Sequence, residues 1–252
     1  MPPLLEVRGV EAGYGKLRVL HGVDLAVPAG AALAVLGLNG AGKSTLLKVI
    51  SGLLHPTAGQ VRFAGEDVTN LQASELALRG VCLVPEGRGV FPGFTVEDNL
   101  KVGMCGRNAG GVERALALLP ALASRRRQVA GTLSGGEQQM LAMARAIAAC
   151  PKLLLLDELS LGLAPTVVET LFGVVADMHD SGTTVVLVEQ YVSRALAMAD
   201  FVAVLDRGRV RFAGEPGELR DGAKDLDAYL GRKPSYSGDE GLAGAISERA
   251  GR

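Results

Sequence analysis

Gly37-Leu38-Asn39-Gly40-Ala41-Gly42-Lys43-Ser44 fits the pattern G-x-x-x-x-G-K-[ST], a loop whose glycines let backbone N–H groups curl around phosphate oxygens with no Cβ in the way. Its flanks have the required character. Ala31 to Leu36 (AALAVL) is a short, almost wholly apolar run of strand type, and Lys43 to Leu53 (KSTLLKVISGL) carries apolar residues at helical spacing. A phosphate held here sits on a helix N-terminus, where unpaired amides and the helix macrodipole both favour negative charge. In that frame Lys43 is placed to reach the β- and γ-phosphates of a nucleotide and the Ser44 hydroxyl to ligate Mg²⁺. A glycine-rich turn with a chance lysine would need neither the strand before it nor the helix after it.

A second nucleotide element lies far downstream. Leu153-Leu154-Leu155-Leu156 ends in Asp157-Glu158, and four consecutive leucines suggest a strand buried on both faces, as in a parallel sheet covered by helices. An acid at the carboxyl end of such a strand points into the crevice where these sheets bind ligands. Asp157 is therefore the candidate for holding Mg²⁺, and Glu158 the candidate general base or water-orienting group for attack on the γ-phosphate. Alone, two acids after a strand are a weak signal; beside a phosphate loop they are a strong one.

Leu133-Ser134-Gly135-Gly136-Glu137-Gln138-Gln139 yields, from general chemistry, only Ser134 as the N-cap of a helix through Arg145. The run resembles the signature motif of ATP-binding-cassette (ABC) ATPases. The resemblance covers roughly residues 4–231, with the landmarks in order: Tyr14, the phosphate loop, Glu86, the signature, Asp157-Glu158, Ser160-Leu161-Gly162-Leu163 and Glu189-Gln190. It implies ATP and Mg²⁺ as cofactors, with nucleotide contacts from Gly37 to Ser44 and Thr45, and Tyr14 stacked on adenine. It also implies head-to-tail pairing of two cassettes, so that Ser134, Gly135 and Gly136 of one chain cap the γ-phosphate held by the other. Ser160 to Leu163 resembles the loop that crosses that interface.

The chain departs from the family pattern at four positions. Leu159 and Leu163 stand where the family usually has Pro and Asp. Glu86 replaces a Gln that contacts Mg²⁺ and the attacking water, and a carboxylate accepts hydrogen bonds but cannot donate them as an amide does. Glu86 is thus carried as a catalytic and metal candidate. Gln190 replaces a His; it can donate to a γ-phosphate oxygen but carries no positive charge. The histidines, His21, His55 and His179, all lie elsewhere, so Glu158 bears more of the catalysis and turnover is expected to be slow.

Pro85-Glu86-Gly87-Arg88, Val90-Phe91, Ser160 to Pro165 and Val188-Glu189-Gln190 narrow the resemblance to the second ATPase subunit of bacterial branched-chain amino acid importers, with urea and short-amide importers as near relatives. That implies a homodimer, or a heterodimer with a second ABC ATPase, on transmembrane permease subunits served by a periplasmic solute-binding protein, at the cytoplasmic face of the inner membrane. An exporter-type ATPase shares the single-cassette format. A DNA-repair or ribosome-associated ABC ATPase usually carries long coiled coils, zinc-binding cysteines or two fused cassettes, and this sequence shows none.

A net charge of −1 argues against sequence-independent nucleic-acid binding, which needs a basic footprint. The one basic run, Arg125-Arg126-Arg127, reads as a solvated helix end. No apolar stretch approaches the ~20 residues needed to span a bilayer, and MPPLLEVRGV lacks the regions of a signal peptide. Cys82, Cys105 and Cys150 have no metal-ligand spacing, and their odd number fits buried reduced thiols.

The fold class expected is α/β: a P-loop NTPase (RecA-like) core with an antiparallel β portion from Leu4 to Val27 and Gln60 to Ala64. Strand and helix signals alternate from Ala31 to Val84 and resume at Leu153. Between them Thr95 to Ala149 shows only helix signals, one helix starting at Thr95 and another over Gly111 to Leu122. These residues make a helical subdomain, about 87–150, inserted in a single domain over 1–232. Thr183 to Val188 reads as the last core strand. The Gly-, Ser- and charge-rich stretch 233–252 is expected to be a mobile tail.

Overall fold

The computed structural model of the chain describes residues 3–87, 89–103, 110–189 and 192–221; the expectations for Arg88, Cys105, Gln190 and 233–252 lie outside them. The chain opens with the hairpin β1 (Leu5–Tyr14) and β2 (Leu17–Val27), then β3 (Ala32–Leu36), the phosphate-loop segment and α1 (Lys43–Ile50). β4 (Ala58–Phe63), the two-residue β5 (Glu66–Asp67), α2 (Ala73–Arg79) and β6 (Val81–Val84) follow. Helices α3 (Val96–Gly103), α4 (Gly111–Leu118), α5 (Pro120–Ala123) and α6 (Gly135–Ala149) separate β6 from β7 (Leu153–Asp157). Then come α7 (Pro165–Asp180), β8 (Thr184–Val188), α8 (Val192–Met198), β9 (Phe201–Asp206), β10 (Arg209–Gly214) and α9 (Pro216–Asp221).

The strands form two sheets, ordered β2-β1-β4-β5 and β10-β9-β3-β8-β7-β6. The first is antiparallel. In the second, β9, β3, β8, β7 and β6 run parallel, and only β10 is antiparallel to its neighbour. The leucine run of β7 is fully buried on both faces. Leu153 and Leu155 pack with α1 and the antiparallel sheet, Leu154 and Leu156 with α6 and α7. Each such leucine contributes about 2 kcal/mol by leaving water, so this strand is pinned between two cores and its acidic end is fixed with it.

Several local expectations are corrected. β8 is not the last core strand, because Phe201–Asp206 pairs with β3 on its other side; the five apolar residues Phe201 to Leu205 suit a buried strand as well as the earlier runs do. Gly111 to Leu122 is two helices. Pro120 has no N–H and clashes with a helical residue before it, and Leu119 accordingly leaves the helical region at φ −127°. α6 continues four residues past Arg145 and stops at Cys150, which adopts the left-handed conformation at φ 47°. Cys150 is exposed and Cys82 half-buried, so the expectation of buried thiols fails at Cys150.

The arginine run is also more than a solvated helix end. Arg126 donates two hydrogen bonds to Glu97 at 2.9 and 3.2 Å, and Arg125 pairs with Glu137 at 2.7 Å. These pairs tie the segment after α5 to α3 and to the start of α6. Nearby, the buried Asn99 side chain clamps residue 91: its Oδ1 accepts from Phe91 N–H at 2.8 Å and its Nδ2 donates to Phe91 O at 3.0 Å.

Candidate functional site

β3, β8 and β7 lie side by side, so the phosphate-loop segment, Glu189 and Asp157-Glu158 emerge together at their carboxyl ends, the usual ligand crevice of such sheets. Leu38, Asn39 and Gly40 form the exposed tip of the loop; Ala41, Gly42, Lys43 and Thr45 are buried at its base. Two glycines are sterically required. A Cβ on Gly37 would lie 2.2 Å from Leu205 O, and one on Gly42, at φ 107°, 2.9 Å from Leu20 Cδ2. Gly42 also caps α1 without a side-chain hydrogen bond, which leaves the first amides of the helix to meet an anion.

Lys43 Nζ donates to Gly37 O at 2.9 Å and Leu38 O at 3.1 Å. The lysine thus folds back on the carbonyls of its own loop, bonds it can exchange for phosphate oxygens. Burial lowers the ammonium from its ordinary value, against the pull of Glu158 and Asp157. Ser44 Oγ donates to Asp157 Oδ1 at 3.0 Å. Burial pushes the Asp157 carboxyl above the usual carboxylate range; the Ser44 hydrogen bond opposes this, and the carboxylates of Glu158 and Glu86 add to it. Glu158 and Glu86 thus both lie within electrostatic reach of Asp157. Their oxygens and the Ser44 hydroxyl are hard donors that suit a small divalent cation sharing its shell with phosphate and water. Among the described residues no group of three or more His, Cys, Asp or Glu side chains is placed to hold a metal ion by itself.

Glu158 takes a left-handed backbone conformation, φ 51°, and its N–H donates to Val188 O at 2.9 Å. Glu86 is exposed, two residues beyond β6, within electrostatic reach of Asp157. Tyr14 ends β1 with its ring half-exposed, and Lys48 of α1 lies over it, Nζ 5.7 Å from the ring centroid. The aromatic face therefore stands next to the helix that follows the phosphate loop.

The signature residues sit apart from this cluster. Ser134 N-caps α6 in a reciprocal capping box: its Oγ accepts from Glu137 N–H at 3.4 Å, while Glu137 accepts from Ser134 N–H at 2.8 Å. A Cβ on Gly136 would come within 3.1 Å of Val167 in α7. Among the described residues no hydrogen bond joins Ser134, Gly135 or Gly136 to the phosphate loop. Sequence reasoning passed over the chemistry of Glu189, a buried carboxylate that accepts from Ser160 N–H at 3.0 Å and Ser160 Oγ–H at 2.7 Å. An acid directly after the apolar run Val185 to Val188 was the available signal.

The profile of the family described as ABC transporter matches residues 20–160. Over 232 residues the chain is 42% identical to the high-affinity branched-chain amino acid transport ATP-binding protein BraG of Pseudomonas aeruginosa, covering 90% of this chain and 100% of that one. It is 38% identical over 226 residues to the probable branched-chain amino acid transport ATP-binding protein LivF of Archaeoglobus fulgidus, covering 88% of this chain and 96% of that one. Among solved structures, the ADP conformation of an ATP-binding cassette of an ABC transporter matches with a TM-score of 0.79 at 27% identity, over 92% of this chain and 100% of that chain.

Proposed function

The chain belongs to the ABC transporter family, and from that premise we propose that it is the ATP-hydrolysing subunit of an importer for branched-chain amino acids. The observation that carries the proposal is the convergence of the phosphate loop, Asp157 and Glu158 in one crevice, in a chain this similar to branched-chain amino acid transport ATP-binding proteins.

In this reading the amides of 40–45 and the Lys43 ammonium hold the β- and γ-phosphates, and Tyr14 stacks on the adenine. Ser44 and Asp157, with Glu86 within electrostatic reach, would hold Mg²⁺, which would supply positive charge against the phosphates. Glu158 accepts the proton of the water that attacks the γ-phosphate, and Gln190 donates a hydrogen bond to a γ-phosphate oxygen. Ser134, Gly135 and Gly136, at the N-terminus of α6, complete the site of a second cassette in this reading.

The helical insert of about 87–150 faces the permease, within a single domain over 1–232. A groove of about 710 Å³ between α2, β6, α3 and α6, lined in part by Leu78, Val102, Gly103 and Arg145, offers an apolar seat for a segment of that subunit. No helix among the described residues is long and apolar enough to cross a membrane; in this reading the permease contact holds the chain at the cytoplasmic face. The permeases receive solute from a periplasmic binding protein.

The test is uptake of labelled leucine, isoleucine and valine by cells lacking the gene. Restoration by the wild-type chain and not by Glu158→Gln is expected. Loss of urea or short-amide uptake, with branched-chain uptake intact, would move the chain to that importer class.

A further inference from the structure

Two consecutive residues at the end of β8 hold two positions of the turn that follows β7. Val188 O accepts from Glu158 N–H at 2.9 Å, and the Glu189 carboxylate accepts from both donors of Ser160, its N–H at 3.0 Å and its Oγ–H at 2.7 Å. Glu189 is 2% exposed and Ser160 5%, so these bonds form out of water, where an acceptor without donors is costly. Between them Leu159 is buried in the core, and Leu161 N–H closes the turn on Glu158 O at 3.3 Å.

The turn is not one the chain would adopt unaided. Glu158 sits in the left-handed region at φ 51°, which a residue with a Cβ enters only when its surroundings impose it. The direction of the Glu158 side chain follows from that backbone, and the backbone is held on one side by Val188 and on the other by Glu189 through Ser160. We infer that Glu189 is a positioning residue for ATP hydrolysis: its buried carboxylate grips Ser160 and thereby fixes the turn that aims Glu158. Its role is to accept hydrogen bonds; it does not touch the reacting atoms.

The inference rests on Glu158 being the hydrolytic carboxylate, and the two are separable. Ser160→Ala removes one of the two bonds with little change of shape, and Glu189→Ala removes both. Each lowers kcat with the KM for Mg-ATP unchanged, on the order of ten- to hundred-fold for the larger change, the scale of a misplaced catalytic group. Glu189→Gln keeps most of the activity, because its amide oxygen can accept from Ser160 N–H and its NH₂ can donate to Ser160 Oγ. Should Glu189→Ala fail to fold, Ser160→Ala decides. Wild-type kcat in Ser160→Ala, or a fall in ATP affinity matching the fall in kcat, overturns the inference. So does a Glu189→Gln as impaired as Glu189→Ala, which would show that charge and not bonding matters. Glu158→Gln in parallel tests the premise: wild-type turnover there removes the reading of Glu158, whereas a dead Glu158→Gln beside an unimpaired Ser160→Ala removes only the link.

Discussion

The Ser44 hydroxyl donates to Asp157 Oδ1 across 3.0 Å, joining the first turn of α1 to the end of β7 over 113 residues of chain. One hydroxyl proton is modest compensation for a carboxylate that is only 5% exposed and has Glu158 and Glu86 for electrostatic neighbours. The carboxylates at this end of the crevice therefore carry negative charge that a cation would relieve.

That imbalance sets a pH dependence. The folded-state pKa of Asp157 is raised above its ordinary 3.8, so its favourable contribution is fully present below that value and is lost as pH rises through the raised one. Asp157→Asn is neutral throughout and can still accept from Ser44. Without Mg²⁺ or nucleotide, its Tm should exceed that of the wild type at neutral pH, with the difference shrinking as pH falls through the window. Thermal melts from pH 8 to about 4 would check this, and a difference independent of pH would contradict it.

Lys43→Ala should lose most Mg-ATP binding and keep the fold. The lysine donates to two carbonyls of its own loop and in the bound state to phosphate; a hydrogen bond to a charged group is worth about 1.5–3 kcal/mol, so a loss of roughly ten- to hundredfold in affinity per bond is expected. Titration with a fluorescent nucleotide, alongside a circular dichroism spectrum, measures both. Tight binding by the folded variant would remove Lys43 from the site.

The parts of this fold that could be read in the sequence are those whose signal is local. The leucines of β7, the glycines of the phosphate loop and the helix after it announce themselves within ten residues, because period, sterics and capping act at that range. Glu189 with Ser160 and Arg126 with Glu97 are each 29 residues apart, and nothing in the intervening sequence says that the chain returns. The same holds for β9, whose place beside β3 is decided by packing across the sheet. Ser134 illustrates the reverse case: its N-cap role, which is set by residues within one helical turn, was legible.

The Arg126 to Glu97 pair makes an acid-range prediction. Hydrogen bonds from Arg126, then Lys101, hold the Glu97 carboxyl at about 2 against an ordinary 4.5. The contribution is therefore present above 4.5 and lost as pH falls toward 2. Glu97→Gln lacks it at every pH. Its Tm deficit relative to the wild type should narrow on acidification below 4.5, and a deficit that stays constant through that range would show that the pair contributes nothing through its charge. Both groups keep contact with solvent, so added salt should also reduce the deficit.

Gln190 offers the sharpest kinetic test of the proposed site. Where the family has an imidazole, this chain has a neutral amide that can donate one hydrogen bond to a γ-phosphate oxygen but cannot bring positive charge to it. A donor aimed at charge developing in the transition state is worth about 1.5–3 kcal/mol, or roughly ten- to hundredfold in rate. Basal hydrolysis by the isolated subunit should accordingly be slow, Gln190→Ala slower by that factor, and Gln190→His faster than the wild type. The imidazole's advantage should grow as pH falls through about 6.5, where it becomes charged, while Gln190 itself gives no step in that range. Steady-state kcat at saturating Mg-ATP across pH 5.5–8 distinguishes these cases. An unchanged kcat in Gln190→Ala would leave Glu158 as the sole catalytic side chain and reduce residue 190 to the exit of β8.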